Sequence, residues 1–190
     1  MHNDHRNVSS EAEELILVDH DDNEIGFLSK AESHDGGGVR HRAFSLFLFN
    51  ADGQLLLQQR SIGKRLWPGF WSNSCCSHPR RGETMEVATR RRLRDELNIE
   101  SALEFVYKFA YAAEYGPAGS ENEFCHVYLG SVVDDVRPND HEIDSVRYVE
   151  PRDLTKEITE SSARFTPWFK QEWQTLLREH AEQLAGYCQL

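Results

Sequence analysis

The sequence predicts an α+β domain, and three observations carry that prediction. Short β-prone apolar runs come in pairs separated by turn residues, as at Asn50-Ala-Asp-Gly53 and Gly116-Pro-Ala-Gly-Ser120. Two stretches read as helices, an internal one over 84–97 and a terminal one opened by Thr166-Pro167. The 190 residues are 39% apolar and 11% aromatic, enough for a core that withdraws roughly 70% of the unfolded surface from water. No repeat, low-complexity tract or linker divides the chain. One domain over 13–190 is therefore expected, behind a frayed, flexible polar tail over 1–12.

Taken in order, 14–19 and 25–28 flank the turn signal Asp21-Asp-Asn23 and read as a hairpin. The three glycines within 33–38 make a flexible loop, because glycine permits almost any backbone conformation. Residues 42–50 are a strand by their Phe and Leu content, and 54–60 return as its partner after the Asn50-to-Gly53 turn. The stretch 61–82 is rich in Gly, Pro, Ser and Trp without periodicity; so long a loop inside a compact domain is usually functional. Residues 84–97 mix Val87, Ala88, Leu93 and Leu97 with arginines and contain neither Pro nor Gly, so they form a helix. Strands follow over 103–115 and 122–131 around the second turn, then a loop over 134–140 and a short strand over 145–149. Thr166 as N-cap, with Pro167 at the first helical position, opens a helix running to about Leu184, before Gly186.

Composition excludes several classes of function. Lysines and arginines (21) are outnumbered by aspartates and glutamates (32), leaving a formal charge of −11, which opposes docking on a nucleic-acid backbone. The longest apolar run, 43–49, is far short of the roughly 20 residues that span a bilayer, so no membrane partner is expected. The first ten residues lack the apolar stretch of a signal peptide. Cys75, Cys76, Cys125 and Cys188 show no CxxC spacing, and adjacent cysteines seldom bridge one another, so reduced thiols and a cytoplasmic location are expected.

Chemistry concentrates in three patterns. On the strand after the second turn, Glu121, Glu123, Cys125, Val127 and Leu129 share a face. If the last three face the core, both carboxylates point inward and need protons or a metal to neutralise them; the alternative is a solvated strand end. His34 and His41 flank the glycine-rich loop and His78 follows Cys76, so three imidazoles and two carboxylates make a plausible site for Zn, Mn or Fe. Taken singly, each histidine is equally a surface residue. Third, Ser77 through Ile99 resembles a degraded Nudix box, G-x5-E-x7-R-E-U-x-E-E-x-G-U, with Glu83, Arg91, Leu93, Glu96 and Ile99 in register. Ser77, Arg92, Asp95 and Asn98 replace the Gly, Glu, Glu and Gly of that box. Losing one metal-binding glutamate to Arg92 and shortening another argues against ordinary diphosphate hydrolysis, while an arginine there favours holding phosphate oxygens.

Four further motifs carry a resemblance that runs from about Leu15 to the terminal helix. Arg42-Ala-Phe-Ser45, Trp67-Pro-Gly-Phe-Trp-Ser-Asn-Ser-Cys-Cys-Ser-His-Pro79, Glu121-Asn-Glu123 and Phe165-Thr-Pro-Trp168 are similar to the defining motifs of type I isopentenyl-diphosphate isomerase. The resemblance implies a Nudix-like mixed β-sheet core flanked by helices. It implies interconversion of isopentenyl and dimethylallyl diphosphate by protonation and deprotonation on opposite faces. By the same resemblance Cys76 is the catalytic cysteine, Glu123 the acid/base carboxylate, Tyr111 its hydrogen-bonding partner and Trp168 the aromatic facing the hydrocarbon. His34, His41, His78, Glu121 and Glu123 match the ligands of a tightly bound divalent metal, Mn2+ or Mg2+ with Zn2+ as a further candidate. Glu96 matches a residue holding a second, substrate-linked Mg2+. Lys30, Arg60, Lys64 and Arg92 match the basic residues around the diphosphate. Cys75, beside the catalytic position, is expected to be a small apolar filler.

The physical demands agree with these roles. An isolated alkene is a weak base, and protonating it gives a tertiary carbocation that water would trap, so a strong acid and a dry slot are required. An indole face stabilises such a cation by about 2 kcal/mol or more when desolvated. A cysteine thiolate near a metal site and arginines is a plausible base on the opposite face. The expected partner is a small allylic or homoallylic diphosphate, and the chain is expected to be a monomer or weak homodimer. The competing readings are a Nudix-type diphosphohydrolase of a nucleotide-like substrate, which leaves Cys76 and Glu123 unexplained, and a non-catalytic acidic interaction domain with a structural metal.

Overall fold

The structure, a computed structural model, describes residues 7–189; positions 1–6 of the expected tail lie outside the described residues. In chain order the elements are β1 (Glu14–Val18), β2 (Glu24–Ser29), α1 (Lys30–His34), β3 (His41–Phe49), β4 (Leu55–Arg60), β5 (Trp71–Ser72), β6 (Cys75–Ser77), α2 (Met85–Leu97), β7 (Leu103–Glu114), β8 (Ser120–Ser131), β9 (Ile143–Val149), α3 (Pro151–Glu160), α4 (Pro167–Glu179) and α5 (Ala181–Leu184). The described strands join in one mixed sheet flanked by helices, the α+β architecture expected.

β3 is the hub of the sheet. It runs parallel to β8 from the His41/Glu123 pair to the Phe49/Ser131 pair, and β8 in turn pairs antiparallel with β7. On its other side β3 meets β6, with Ser45 opposite Cys76. Because both faces of β3 are covered, its sequence is a nearly unbroken apolar run rather than an alternation. Phe47 and Phe49 pack with Val127, Leu129, Trp168, Phe169 and Trp173 under α4, while Phe44, Leu46 and Leu48 pack against Leu93 and Leu97 of α2.

Several expectations are corrected. β3 and β4 touch only at the Phe49/Leu55 pair instead of forming a ladder, and β4 spends its length against β9 and β5. The cause is Ser74, whose hydroxyl accepts from the Leu48 N–H at 2.8 Å and donates to the Leu56 carbonyl at 2.6 Å, wedging the 71–77 segment between the two strands. The long loop accordingly contains β5 and β6. Part of the expected glycine-rich loop is the single helical turn α1, with the Ser29 hydroxyl accepting from the Glu32 N–H. α3 is an additional helix, anchored by Leu154 and Ile158. The terminal helix breaks at His180, whose φ of −128° is not helical, and resumes as α5. Thr166 stands at the start of α4, but its hydroxyl bonds to Ser72 Oγ at 2.9 Å instead of capping the helix.

The internal helix matches its expectation closely. Thr84 Oγ1 accepts from the Val87 N–H at 3.3 Å, and Asn98, at φ 56°, closes α2 in the left-handed conformation that glycine or asparagine tolerates best. That conformation explains how Asn98 replaces the box glycine. All four cysteines are free. Among the described residues, no helix is long and apolar enough to cross a membrane.

Candidate active site

Strand alternation on β8 decides between the two readings of its carboxylates. Cys125, Val127 and Leu129 are buried, and Glu121 and Glu123 on the same face are only 6% and 7% exposed, so they are not a solvated strand end. Three histidines meet them from separate segments: His34 ends α1, His41 begins β3 and His78 follows β6. Their ring centroids lie 4.7 to 5.3 Å apart. His34 Nδ1 is 2.7 Å from the Lys30 carbonyl and His41 Nδ1 is 2.7 Å from the Val39 carbonyl. Those contacts make each Nδ1 the protonated nitrogen and turn the Nε2 lone pairs inward. His34 Nε2 is 2.9 Å from Glu121 Oε2 and His78 Nε2 is 2.8 Å from Glu123 Oε1. His41 Nε2 is fully buried, 3.8 Å from Glu123 Oε1, and has no hydrogen-bond partner.

One ligand atom from each of these five residues lies within 4.8 Å of all the others. The orphaned His41 Nε2 and the two crowded carboxylates are what a divalent cation of nitrogen and oxygen preference would satisfy, so the residues fit such a metal. Electrostatics say the same. Burial would raise Glu121, but His34 and His41 hold its carboxyl down at about 2; Glu123 is pushed well up by burial and by the Glu121 charge. Burial lowers His41 to about 4.

The same cleft is lined by Cys76, Tyr111, Trp168 and the basic residues. Tyr111 donates its hydroxyl to Glu123 Oε2 at 2.5 Å. Cys76 on β6 and Glu123 on β8 reach the cleft from strands on either side of β3. Arg60 stands 3.8 Å from the Cys76 sulfur, and its guanidinium lies 5.3 Å over the Trp168 ring. It is aimed by the carbonyls of Leu66 and Trp67, the latter a residue in the left-handed region at φ 47°. Burial pushes the Cys76 thiol up to about 12, with Arg60 pulling the other way. Cys75 fills the opposite face against α2, as expected of a small apolar residue, and its sulfur is 3.5 Å from Glu96 Oε1.

At the mouth stand Lys30, Lys64 and Arg92. Lys30 Nζ is 2.5 Å from Ser9 Oγ, and burial with the nearby Lys64 charge lowers its pKa. Arg92 is buried, bonded through Nε to Glu96 Oε1 at 2.7 Å and through Nη2 to Glu142 Oε2 at 3.2 Å, while Lys64 also pairs with Glu142. Glu96 is thus bonded to Arg92 and is not among the residues lining the cleft. Residues 8–11, placed by the sequence in a frayed tail, contribute the Val8 carbonyl to Arg92 at 3.1 Å and line the mouth with Ser9 and Glu11. Sequence reasoning missed Arg65, which lines the mouth and bonds Asp35 at 2.5 Å, and Glu142, which grips both Lys64 and Arg92. The only signal for Arg65 was its place beside Lys64; Glu142, in a polar turn, offered none. The Glu83–Arg91 pair of the box is a bidentate bridge with two 2.8 Å contacts that ties the loop to α2.

The model of the NUDIX domain matches residues 39–169. The chain is 40% identical to isopentenyl-diphosphate Delta-isomerase 1 of Photorhabdus laumondii, covering 90% of this chain and 99% of that protein. It is 43% identical to the isopentenyl-diphosphate Delta-isomerase of Serratia proteamaculans, covering 83% and 87%. Among solved structures, DR0079 of Deinococcus radiodurans superposes with a TM-score of 0.65 at 27% identity, over 78% of this chain and 90% of that one. A MutT protein of Methanosarcina mazei shares the fold at 18% identity, with a TM-score of 0.62 over 74% of this chain and 95% of that one. With near-complete coverage at such identity, and a NUDIX match over most of its length, the chain belongs to the isopentenyl-diphosphate Delta-isomerase family of NUDIX-domain proteins.

Proposed function

We infer that the protein is an enzyme that interconverts isopentenyl diphosphate and dimethylallyl diphosphate by moving one carbon–carbon double bond. The observation that carries this reading is the meeting of a thiol, a buried carboxyl and an indole face in one cleft with a basic mouth. Hydrolysis needs neither the thiol nor the indole face, and Arg92 stands where a Nudix hydrolase keeps a metal-binding glutamate.

Each residue then has a task its surroundings support. Lys30, Lys64, Arg60 and Arg92 hold the diphosphate, whose binding energy orients the five-carbon tail. Trp168, itself buried, faces the hydrocarbon and stabilises positive charge as it develops, by about 2 kcal/mol in a dry site. Cys76 and Glu123 exchange protons with the reacting carbons from strands on either side of β3. Tyr111 fixes the Glu123 carboxyl by its hydrogen bond to Oε2. A divalent cation held by His34, His41, His78, Glu121 and Glu123 supplies local positive charge that tunes the carboxyl; Mn2+ or Mg2+ is proposed, with Zn2+ the alternative. Glu96, bonded to Arg92, is proposed to support a substrate-linked Mg2+. A cytoplasmic single-domain protein, monomeric or weakly dimeric, is proposed with this chemistry, and its free cysteines suit a reducing compartment.

The test is direct. Metal-replete protein incubated with isopentenyl diphosphate and magnesium is expected to yield dimethylallyl diphosphate. No product rules the reading out, and phosphate release from nucleoside diphosphate derivatives instead would favour a diphosphohydrolase.

A further inference from the structure

α4 carries a carboxyl that the chemistry above leaves unused. Glu172 lies one helical turn beyond Trp168, so both side chains leave the same helix face, and Glu172 is fully buried. Its Oε1 is 3.5 Å from the Cys125 sulfur, which is itself 3.5 Å from Ser45 Oγ; its Oε2 has no hydrogen-bond partner. These neighbours stand directly behind residues that line the active site. Cys125 follows Glu123 by two residues on the same face of β8, and Ser45 stands opposite Cys76 across the β3/β6 ladder.

The titratable groups facing Glu172 are Cys76 from β6, Glu123 and Cys125 from β8, and Tyr107 from β7, whose hydroxyl donates to the Glu172 main-chain carbonyl at 3.4 Å. None of these is a cation. A buried carboxylate with one bare oxygen and no counter-charge is unfavourable, so the neutral acid is the form this environment selects. Burial pushes Glu172 up to about 7 against the opposing hydrogen bonds of Ser45 and Cys125.

We propose that Glu172 is a positioning residue for the Cys76 and Glu123 pair, tying α4 to Cys125 and through it to Ser45, and so fixing how the two strands present their side chains to the substrate. The proposal rests on the isomerase reading. Glutamine keeps the shape, neutrality and hydrogen bonding of the acid; methionine keeps the volume but leaves Cys125 and Ser45 without their partner.

The experiment compares Glu172→Gln and Glu172→Met in isomerase kinetics and in the rate at which iodoacetamide labels Cys76, the one thiol of the four that is not fully buried. Glu172→Met is expected to lower kcat about tenfold with KM within about twofold, while Glu172→Gln stays within about threefold of the parent. Labelling of Cys76 is expected to shift by about threefold or more in the methionine variant and to remain at the parent rate in the glutamine variant. Parent kcat and labelling in Glu172→Met would overturn the proposal, as would an equal loss in Glu172→Gln, which would mean the charge is what matters. Should Glu172→Met not fold, Ser45→Ala removes the β3 end of the Cys125 contact, with a lower kcat and shifted labelling expected and parent values overturning the proposal. If the parent itself forms no dimethylallyl diphosphate, the isomerase reading fails, and the labelling rates still decide whether Glu172 positions Cys76.

Discussion

Cys75 and Cys76 are covalent neighbours that serve opposite faces of the sheet. β6 alternates like any strand, so one sulfur joins the core against α2 while the other opens into the cleft beside Arg60. Cys76→Ala and Glu123→Gln are each expected to lower kcat by about 10³-fold or more with the fold retained, whereas Cys75→Ala stays within about threefold, as steady-state kinetics and circular dichroism would show. A fully active Glu123→Gln variant would refute its assigned role. At this scale the sequence was legible wherever a local pattern constrained the side chain. The spacing of Glu121 and Glu123 with Cys125 made an inward-facing pair one of two readings, and the burial of that strand face in the structure decides for it. Glu142 was not legible: its partners Lys64 and Arg92 lie 78 and 50 positions away, and no local pattern announces such a contact.

Turns and short elements hold the proposed metal ligands in place. The turn at Gly116–Ala118 brings Gly119, at φ 130°, against the end of α1, where a Cβ would sit 2.2 Å from the His34 carbonyl oxygen. Gly119→Ala is therefore expected to destabilise the fold by about 2 kcal/mol or more and to reduce bound metal, checked by thermal melts and metal analysis. The β1/β2 hairpin is pinned to the sheet through Asp22, which accepts from Arg42 Nε at 2.7 Å and Lys108 Nζ at 3.1 Å and lies 2.8 Å from His126 Nε2. Burial would raise the Asp22 carboxyl, but Arg42 and Lys108 outweigh it and hold it below its ordinary value of 3.8. A depressed carboxylate contributes stability above its unfolded pKa and loses it as pH falls through the folded one. Acid unfolding should thus steepen below about pH 4, and Asp22→Asn should flatten that part of the pH–stability curve; an unchanged curve would contradict the pin. Elements were readable where no breaker intervened, as over 84–97, which contains neither Pro nor Gly. The β3/β4 separation was not, because the residue that parts the strands, Ser74, lies beyond both of them in the chain. α3 was legible and was overlooked: Pro151 in its first turn and the i, i+3, i+7 spacing of Pro151, Leu154 and Ile158 are a clear amphipathic helix signal.

For the molecule as a whole, the parallel β3/β8 pairing carries the site. It sets His41 beside Glu123, so ligands more than 80 positions apart converge once the central pairing forms. Metal binding and folding are then linked: a saturating divalent metal is expected to raise the melting temperature by about 5–10 °C over chelator-treated protein. His41→Ala should abolish both the shift and the tight metal. The architecture was legible as a class from strand pairs and helix signals. The pairing order was not, since parallel strands 80 residues apart leave no turn between them to read. The central claim is that Cys76 and Glu123 add a proton to the substrate's double bond and remove another, with nothing hydrolysed. Turnover of isopentenyl diphosphate in heavy water, read by mass spectrometry and NMR, tests it most directly. The account predicts dimethylallyl diphosphate carrying deuterium from solvent in a methyl group, an intact diphosphate, and no incorporation with Cys76→Ala. Product free of solvent deuterium, or release of inorganic phosphate in its place, would contradict it.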